Sequence, residues 1–329
     1  MGFFKTRKVE KSYDLIGAFS WYTPGISGLF SVLGWFLIGM VFGSLAVVPL
    51  IAAGLPMCYA ILVMYPLQFV PVLIYTKFKS SRNSPFDRGY RLDSNHFGKA
   101  GGLRMALMAA IAMVAASLML EAVNQLLPEM SEQMRSTMEM LLDGPLFVTL
   151  LSVSVFAPIF EEWLCRGIIL RGLLNYQHRP TDLGDTERNG LNPALAIVIS
   201  ALFFAVIHGN VWQGVTAFVI GCLFGYVYYK TGSLKLTMLM HCVNNTMSAL
   251  IAHFGSEELR DAKSLLEVMP KWEYTLIFIV SAGVVWYFVK TLSTVETDAQ
   301  TGNNCDIVPS PQDIYLREQA QSADDTQAE

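Results

Sequence analysis

Residues 146–175 read LFVTLLSVSVFAPIFEEWLCRGIILRGLLN, an apolar run with Glu161, Glu162 and Arg166 set in its middle. An α-helix needs roughly 20 apolar residues to cross the hydrocarbon core of a bilayer, and this run is longer than that. Seven more apolar runs lie near 29–53, 57–75, 103–127, 194–207, 211–229, 234–254 and 274–289. Together they predict an all-α fold, a polytopic membrane helix bundle of about eight transmembrane helices. The composition agrees: 53% of the 329 residues are hydrophobic and 15% charged, against roughly a quarter charged in a soluble domain. A net charge of −4 gives no reason to expect a nucleic-acid partner. Cys58, Cys165, Cys222, Cys242 and Cys305 form no CxxC pair. They read as small buried hydrophobes, not as a disulfide framework or a thiolate zinc site.

Three regions follow. Residues 1–27 form a basic N-terminal segment, 28–290 a helical bundle whose working core is 146–254, and 291–329 a polar tail. The tail is rich in Asp, Glu, Gln, Ser and Thr and buries too little apolar surface to order itself, so disorder is expected there. Lys5, Arg7, Lys8 and Lys11 precede the first run, and Lys77, Lys79, Arg82, Arg88 and Arg91 follow the second. Positive charge marks the cytoplasmic side, and an even number of crossings then puts both termini in the cytoplasm. The loops after the third and seventh runs are acid-rich instead, with Glu129, Glu132, Glu139 and Asp143, then Glu257, Glu258, Asp261 and Glu267. Gly221 and Gly225 form a small-xxx-small pair that permits close helix approach.

Ionisable residues inside a bilayer cost on the order of 3 kcal/mol each and are functional candidates by default. Glu162 and Arg166, four apart, share a helix face and can pair, which is a structural role in itself. Glu161 points about 100° away and has no sequence-local cation. His208 closes the fifth run, and His241 and Asn245 share a face of the seventh, with Asn244 nearly on it. His253 sits near that run's outer end and reads as interfacial. Helical neighbours of site residues, such as Cys165 and Cys242, turn about 100° away, which argues against a thiol nucleophile. If the fifth run crossed fully, His208 would stand too far from Glu161 to meet it. The fifth and sixth runs are therefore expected to form a short, displaced or re-entrant hairpin with Gly209-Asn210 at a tip inside the bundle.

Glu161-Glu162-x-x-x-Arg166, Phe204-x-x-x-His208 and His241-x-x-x-Asn245, in that order and each in an apolar run, resemble the three motifs of the CPBP family of intramembrane endopeptidases. That family includes the CAAX prenyl endopeptidases and proteins linked to bacteriocin processing or immunity. The resemblance covers about residues 148–249. It implies Glu161 as the base that activates a water, with His208 helping to hold that water or a metal. It implies His241 and Asn245 as donors to the developing oxyanion, and Glu162, Arg166 and Phe204 as supporting groups. It implies membrane lipid and a hydrophobic peptide or lipidated protein as partners, and the cytoplasmic membrane as location in a bacterial host. Glu161, His208 and His241 could hold a zinc ion with an open position. No His-Glu-x-x-His is present, and a metal-independent glutamate mechanism is preferred. Two other classes remain: a non-catalytic scaffold or immunity protein of the same fold, and a proton-coupled transporter. The latter would carry an inverted repeat, and none is visible. Neither substrate nor oligomeric state is legible.

Overall fold

The computed structural model describes residues 24–83, 92–93, 95, 97–142, 144–175 and 191–297. The basic N-terminal residues up to 23, Arg88, Arg91, Asp143 and the tail beyond 297 lie outside the described residues. Helices and short connections account for what is described, with no strand among the described residues. In order these are α1 (Ile26–Ala52), α2 (Met57–Asn83), α3 (Gly102–Leu126), α4 (Glu132–Leu142), α5 (Leu146–Leu174), α6 (Pro193–Ile207), α7 (Val211–Thr231), α8 (Leu234–Phe254), α9 (Glu257–Asp261), α10 (Leu265–Val268) and α11 (Lys271–Ser293).

Each of the eight apolar runs is a helix, and the polytopic helical bundle stands. The count of eight crossings is not confirmed: among the described residues six helices, α1, α2, α3, α5, α7 and α11, are long and apolar enough to span. α6 has only 15 residues, and α8 carries too many polar side chains to meet the same measure. The helices bury little of their apolar surface inside the chain. Phe30, Val41, Leu45, Ile74, Leu107 and Ile279 are all more than half exposed. Such a belt belongs against lipid, where a helix is the segment that satisfies its own backbone hydrogen bonds.

α1 packs along α2, α6 along α7, and both α8 and α11 along α3, while α5 touches α2, α6 and α8. α5 is the hub: residues Trp163–Leu170 are buried without exception. Small residues set the close pairs. A Cβ on Gly39 of α1 would lie 1.8 Å from the Gln68 carbonyl oxygen of α2. On α7, a Cβ at Gly225 would come within 2.9 Å of Ile197, and one at Gly221 within 3.2 Å of Ala201, so the small-xxx-small pair does draw α6 and α7 together.

Capping fixes the ends that matter to the site. Asn192 accepts from the Ala194 amide at 2.9 Å, with Pro193 opening α6. Gly209, at φ 69°, turns the chain, and Asn210 then caps α7 by accepting from the Gln213 amide at 2.9 Å. The expected hairpin is short on one arm only, and its tip is not inside the bundle. Gly209 is exposed, and the Trp212 indole donates to the Pro128 carbonyl at 2.8 Å, placing the turn level with the end of α3.

Candidate functional site

α5 is not a uniform α-helix. Residues Leu150–Phe156 and Trp163–Leu170 are π-helical and flank the α-helical turn Ala157–Glu162. Pro158 lacks the N–H that an α-helix would use there, and wider π turns of this kind recur at functional sites. The two glutamates stand at the end of the α-helical turn.

Glu162 is fully buried, as is Arg166, and His241 is 3% exposed. One oxygen of Glu162, Oε1, accepts from the Arg166 guanidinium at 2.8 Å and from His241 Nδ1 at 3.0 Å. The same guanidinium donates to the Gly221 carbonyl at 2.9 Å and lies 4.6 Å from the Phe204 ring centroid and 5.2 Å from that of Phe224. The desolvated charges are thus compensated in a chain: guanidinium, carboxylate, imidazole. Because Nδ1 faces a carboxylate, the network assigns it a hydrogen.

Glu161 faces differently. Its Oε1 accepts from the Tyr65 hydroxyl of α2. Its Oε2 is buried with no hydrogen-bond partner and lies 3.8 Å from His241 Nε2. That is too long for a direct bond and is a spacing at which one water can bridge two groups. Arg166 pairs with Glu162, as the spacing of four predicts. The Oε2 atom of each glutamate is buried without a hydrogen-bond partner, and that of Glu161 is the one that faces His241 Nε2.

The two histidines meet at Phe204. The His208 ring lies edge-on to Phe204 at 4.9 Å and the His241 ring at 5.5 Å. His208 Nδ1 is 2.7 Å from the Phe204 carbonyl one turn back, which leaves Nε2 as the acceptor nitrogen. Asn245 donates from its amide to the Val153 carbonyl at 2.7 Å and accepts from Asn244 at 3.1 Å. Asn244 in turn accepts from Ser117 of α3 at 2.9 Å. His241 and Asn245 therefore share a helix face yet hold different partners.

Among the described residues no group of three or more His, Cys, Asp or Glu side chains is placed to hold a metal. Nδ1 of His208 is engaged by a backbone carbonyl and Nδ1 of His241 by Glu162, contacts that fix each ring and leave its Nε2 as the nitrogen available to a water or a metal. His253 ends α8 exposed, edge-on to Phe254. A cavity of about 1310 Å³ opens where the ends of α3 and α8 meet the start of α7, with Glu121, Gln213 and Ser248 in its wall. It is lined by none of the motif residues.

Sequence reading missed Tyr65, Ser117, Phe224 and the Val153 carbonyl. Tyr65 had no distinguishing signal, since Tyr59 and Tyr75 occupy the same apolar run. Ser117 is an isolated hydroxyl in α3 that becomes meaningful only opposite Asn244.

Residues 143–247, which hold all three motifs, match the family model of the Rce1-like proteins, type II CAAX prenyl endopeptidases. The resemblance read from the motifs is thereby borne out over that segment. The uncharacterized protein YyaK of Bacillus subtilis (strain 168) is 26% identical over 166 residues, 45% of this chain and 51% of that protein. The match thus spans about half the length of that curated relative. No solved structure matches the chain. With its six membrane-length apolar helices, the chain is an integral membrane protein whose core is similar to a family of membrane proteases.

Proposed function

We propose that this chain is an intramembrane endopeptidase that hydrolyses a peptide bond in a lipid-anchored or hydrophobic peptide, with both termini in the cytoplasm and, in a bacterial host, in the cytoplasmic membrane. One observation carries the reading: a buried, unpartnered carboxylate oxygen, Glu161 Oε2, faces His241 Nε2 at 3.8 Å, while Nδ1 of that ring is held by Glu162.

Amide hydrolysis needs a deprotonated water and donors where negative charge develops. The water donates one hydrogen to Glu161 Oε2 and the other to His208 Nε2. As its oxygen attacks the scissile carbonyl carbon, its proton passes to Glu161. The tetrahedral oxyanion takes hydrogen bonds from the second amide hydrogen of Asn245 and from His241 carrying hydrogen on both nitrogens. Glu161 then gives its proton to the amide nitrogen, the C–N bond breaks, and an amine and a carboxylic acid leave. Arg166 and Glu162 set the His241 ring, and Phe204 packs both imidazoles. No step requires a metal.

The test is cleavage of a fluorogenic lipidated-peptide library by the purified protein in lipid, with Glu161→Ala alongside and a chelator in a parallel set. Loss of a positioned base costs on the order of 10²–10⁴-fold, so the variant should fall by that range while chelator leaves wild type active. Equal cleavage by wild type and variant refutes the role of Glu161. Loss in chelator would return a metal to the site, and no cleavage of any peptide would favour a scaffold or transporter.

A further inference from the structure

We infer that Tyr65 is a positioning residue for Glu161, so that α2, which lies outside the segment matched to the protease family, completes the site; the inference rests on the peptidase reading. A carboxylate has two chemically equivalent oxygens, and free rotation about its terminal torsion would present either one to a water at varying heights. The groups nearest Glu161 leave it without another anchor. The Arg166 terminal nitrogens bond Glu162 and the Gly221 carbonyl, and His241 Nδ1 bonds Glu162. The Tyr65 hydroxyl takes Oε1. That leaves Oε2 as the unpartnered oxygen of Glu161, on the side facing His241. Glu162 Oε2 is unpartnered too, but the Oε1 of that carboxylate is held by Arg166 and His241.

Packing holds Tyr65 at the height this requires. Its ring leans on Phe69 one turn along α2, with centroids 5.8 Å apart. Phe69 stacks on Phe160, the residue before Glu161, at 5.0 Å and 16°. On its other flank Phe69 meets Phe36 of α1 at 5.5 Å. Behind that contact, Gly39 lets α1 approach Gln68 more closely than any side chain would allow, and Gly43 packs tightly beside the same residue. The register of Tyr65 against Glu161 is thus set from α1 through α2 to α5, and the hydroxyl is the one polar group that this aromatic stack delivers to the carboxylate.

The experiment uses the full chain in lipid, as wild type, Glu161→Gln, Glu161→Ala and Tyr65→Phe. Infrared difference spectra identify the Glu161 carboxyl band as the one lost in Glu161→Gln. Tyr65→Phe keeps the ring against Phe69 and removes only the donor, so that band should shift. Loss of pre-organisation without loss of substrate contacts should lower kcat by about 10- to 100-fold with KM within about twofold. A band unmoved in Tyr65→Phe, an unchanged kcat, or a loss expressed in KM alone overturns the inference. If Tyr65→Phe does not fold, 3-fluorotyrosine at position 65 keeps the ring and strengthens the donor, and the band should move the opposite way. Equal cleavage by wild type and Glu161→Ala would instead remove Glu161 as the base, and no cleavage by wild type would overturn the peptidase reading, whatever the band does.

Discussion

Replacing Arg166 with leucine tests whether the buried chain of charges is held together as described. The guanidinium is fully buried and makes two hydrogen bonds, to Glu162 at 2.8 Å and to the Gly221 carbonyl at 2.9 Å. Removing one partner of a buried ion pair costs about 3–5 kcal/mol, mainly because the other charge is left uncompensated. Here Glu162 keeps one partner, His241 Nδ1 at 3.0 Å, so the loss should fall at about 3 kcal/mol, the low end of that range. Equilibrium unfolding of the purified protein in mixed micelles, extrapolated linearly to zero denaturing detergent, gives the number. The double variant Glu162→Leu/Arg166→Leu removes the stranded carboxylate as well. It leaves the His241 nitrogen and the Gly221 carbonyl short of a partner, about 1–3 kcal/mol, so it should be more stable than Arg166→Leu alone. A single-variant loss below about 1 kcal/mol, the scale of an exposed pair, or a double variant no more stable than the single, would refute the account.

Gly39→Ala should destabilise by about 1–3 kcal/mol, the usual cost of forcing atoms into a closed contact, because its Cβ would meet the Gln68 carbonyl oxygen at 1.8 Å. Gly34→Ala, on the same helix with nothing within 4 Å of its Cβ, should gain about 0.5–1 kcal/mol in the same unfolding assay. Cys165→Ala should keep peptide cleavage, since Cys165 is fully buried and its part in the Ser200 hydrogen bond is played by the backbone carbonyl. Abolished turnover in a folded Cys165→Ala protein would reinstate a thiol mechanism.

The sequence by itself determined that this chain is a helical membrane bundle. Each apolar run had to become a helix, because a bilayer interior offers the backbone no other hydrogen-bond partner. It also determined the Glu162–Arg166 pair, which follows from a spacing of four along a helix, and that Gly221 and Gly225 permit a close helix approach; that the approach is to α6 was decided by packing. Tertiary structure alone decided which partners hold the Oε1 of each glutamate and which way the unpartnered Oε2 of Glu161 faces. That depends on Tyr65, 96 positions before Glu161, and on His241, 79 positions after Glu162. It decided that His208 and His241 meet through Phe204, and that Asn245 is tied to the Val153 carbonyl in a π-helical stretch. It also decided that the tip of the α6–α7 hairpin stands at the end of α3, not inside the bundle. Helical periodicity assigns a residue to a face of its own helix; which neighbouring helix that face meets, and at what height, is set by close packing between helices that no local pattern records.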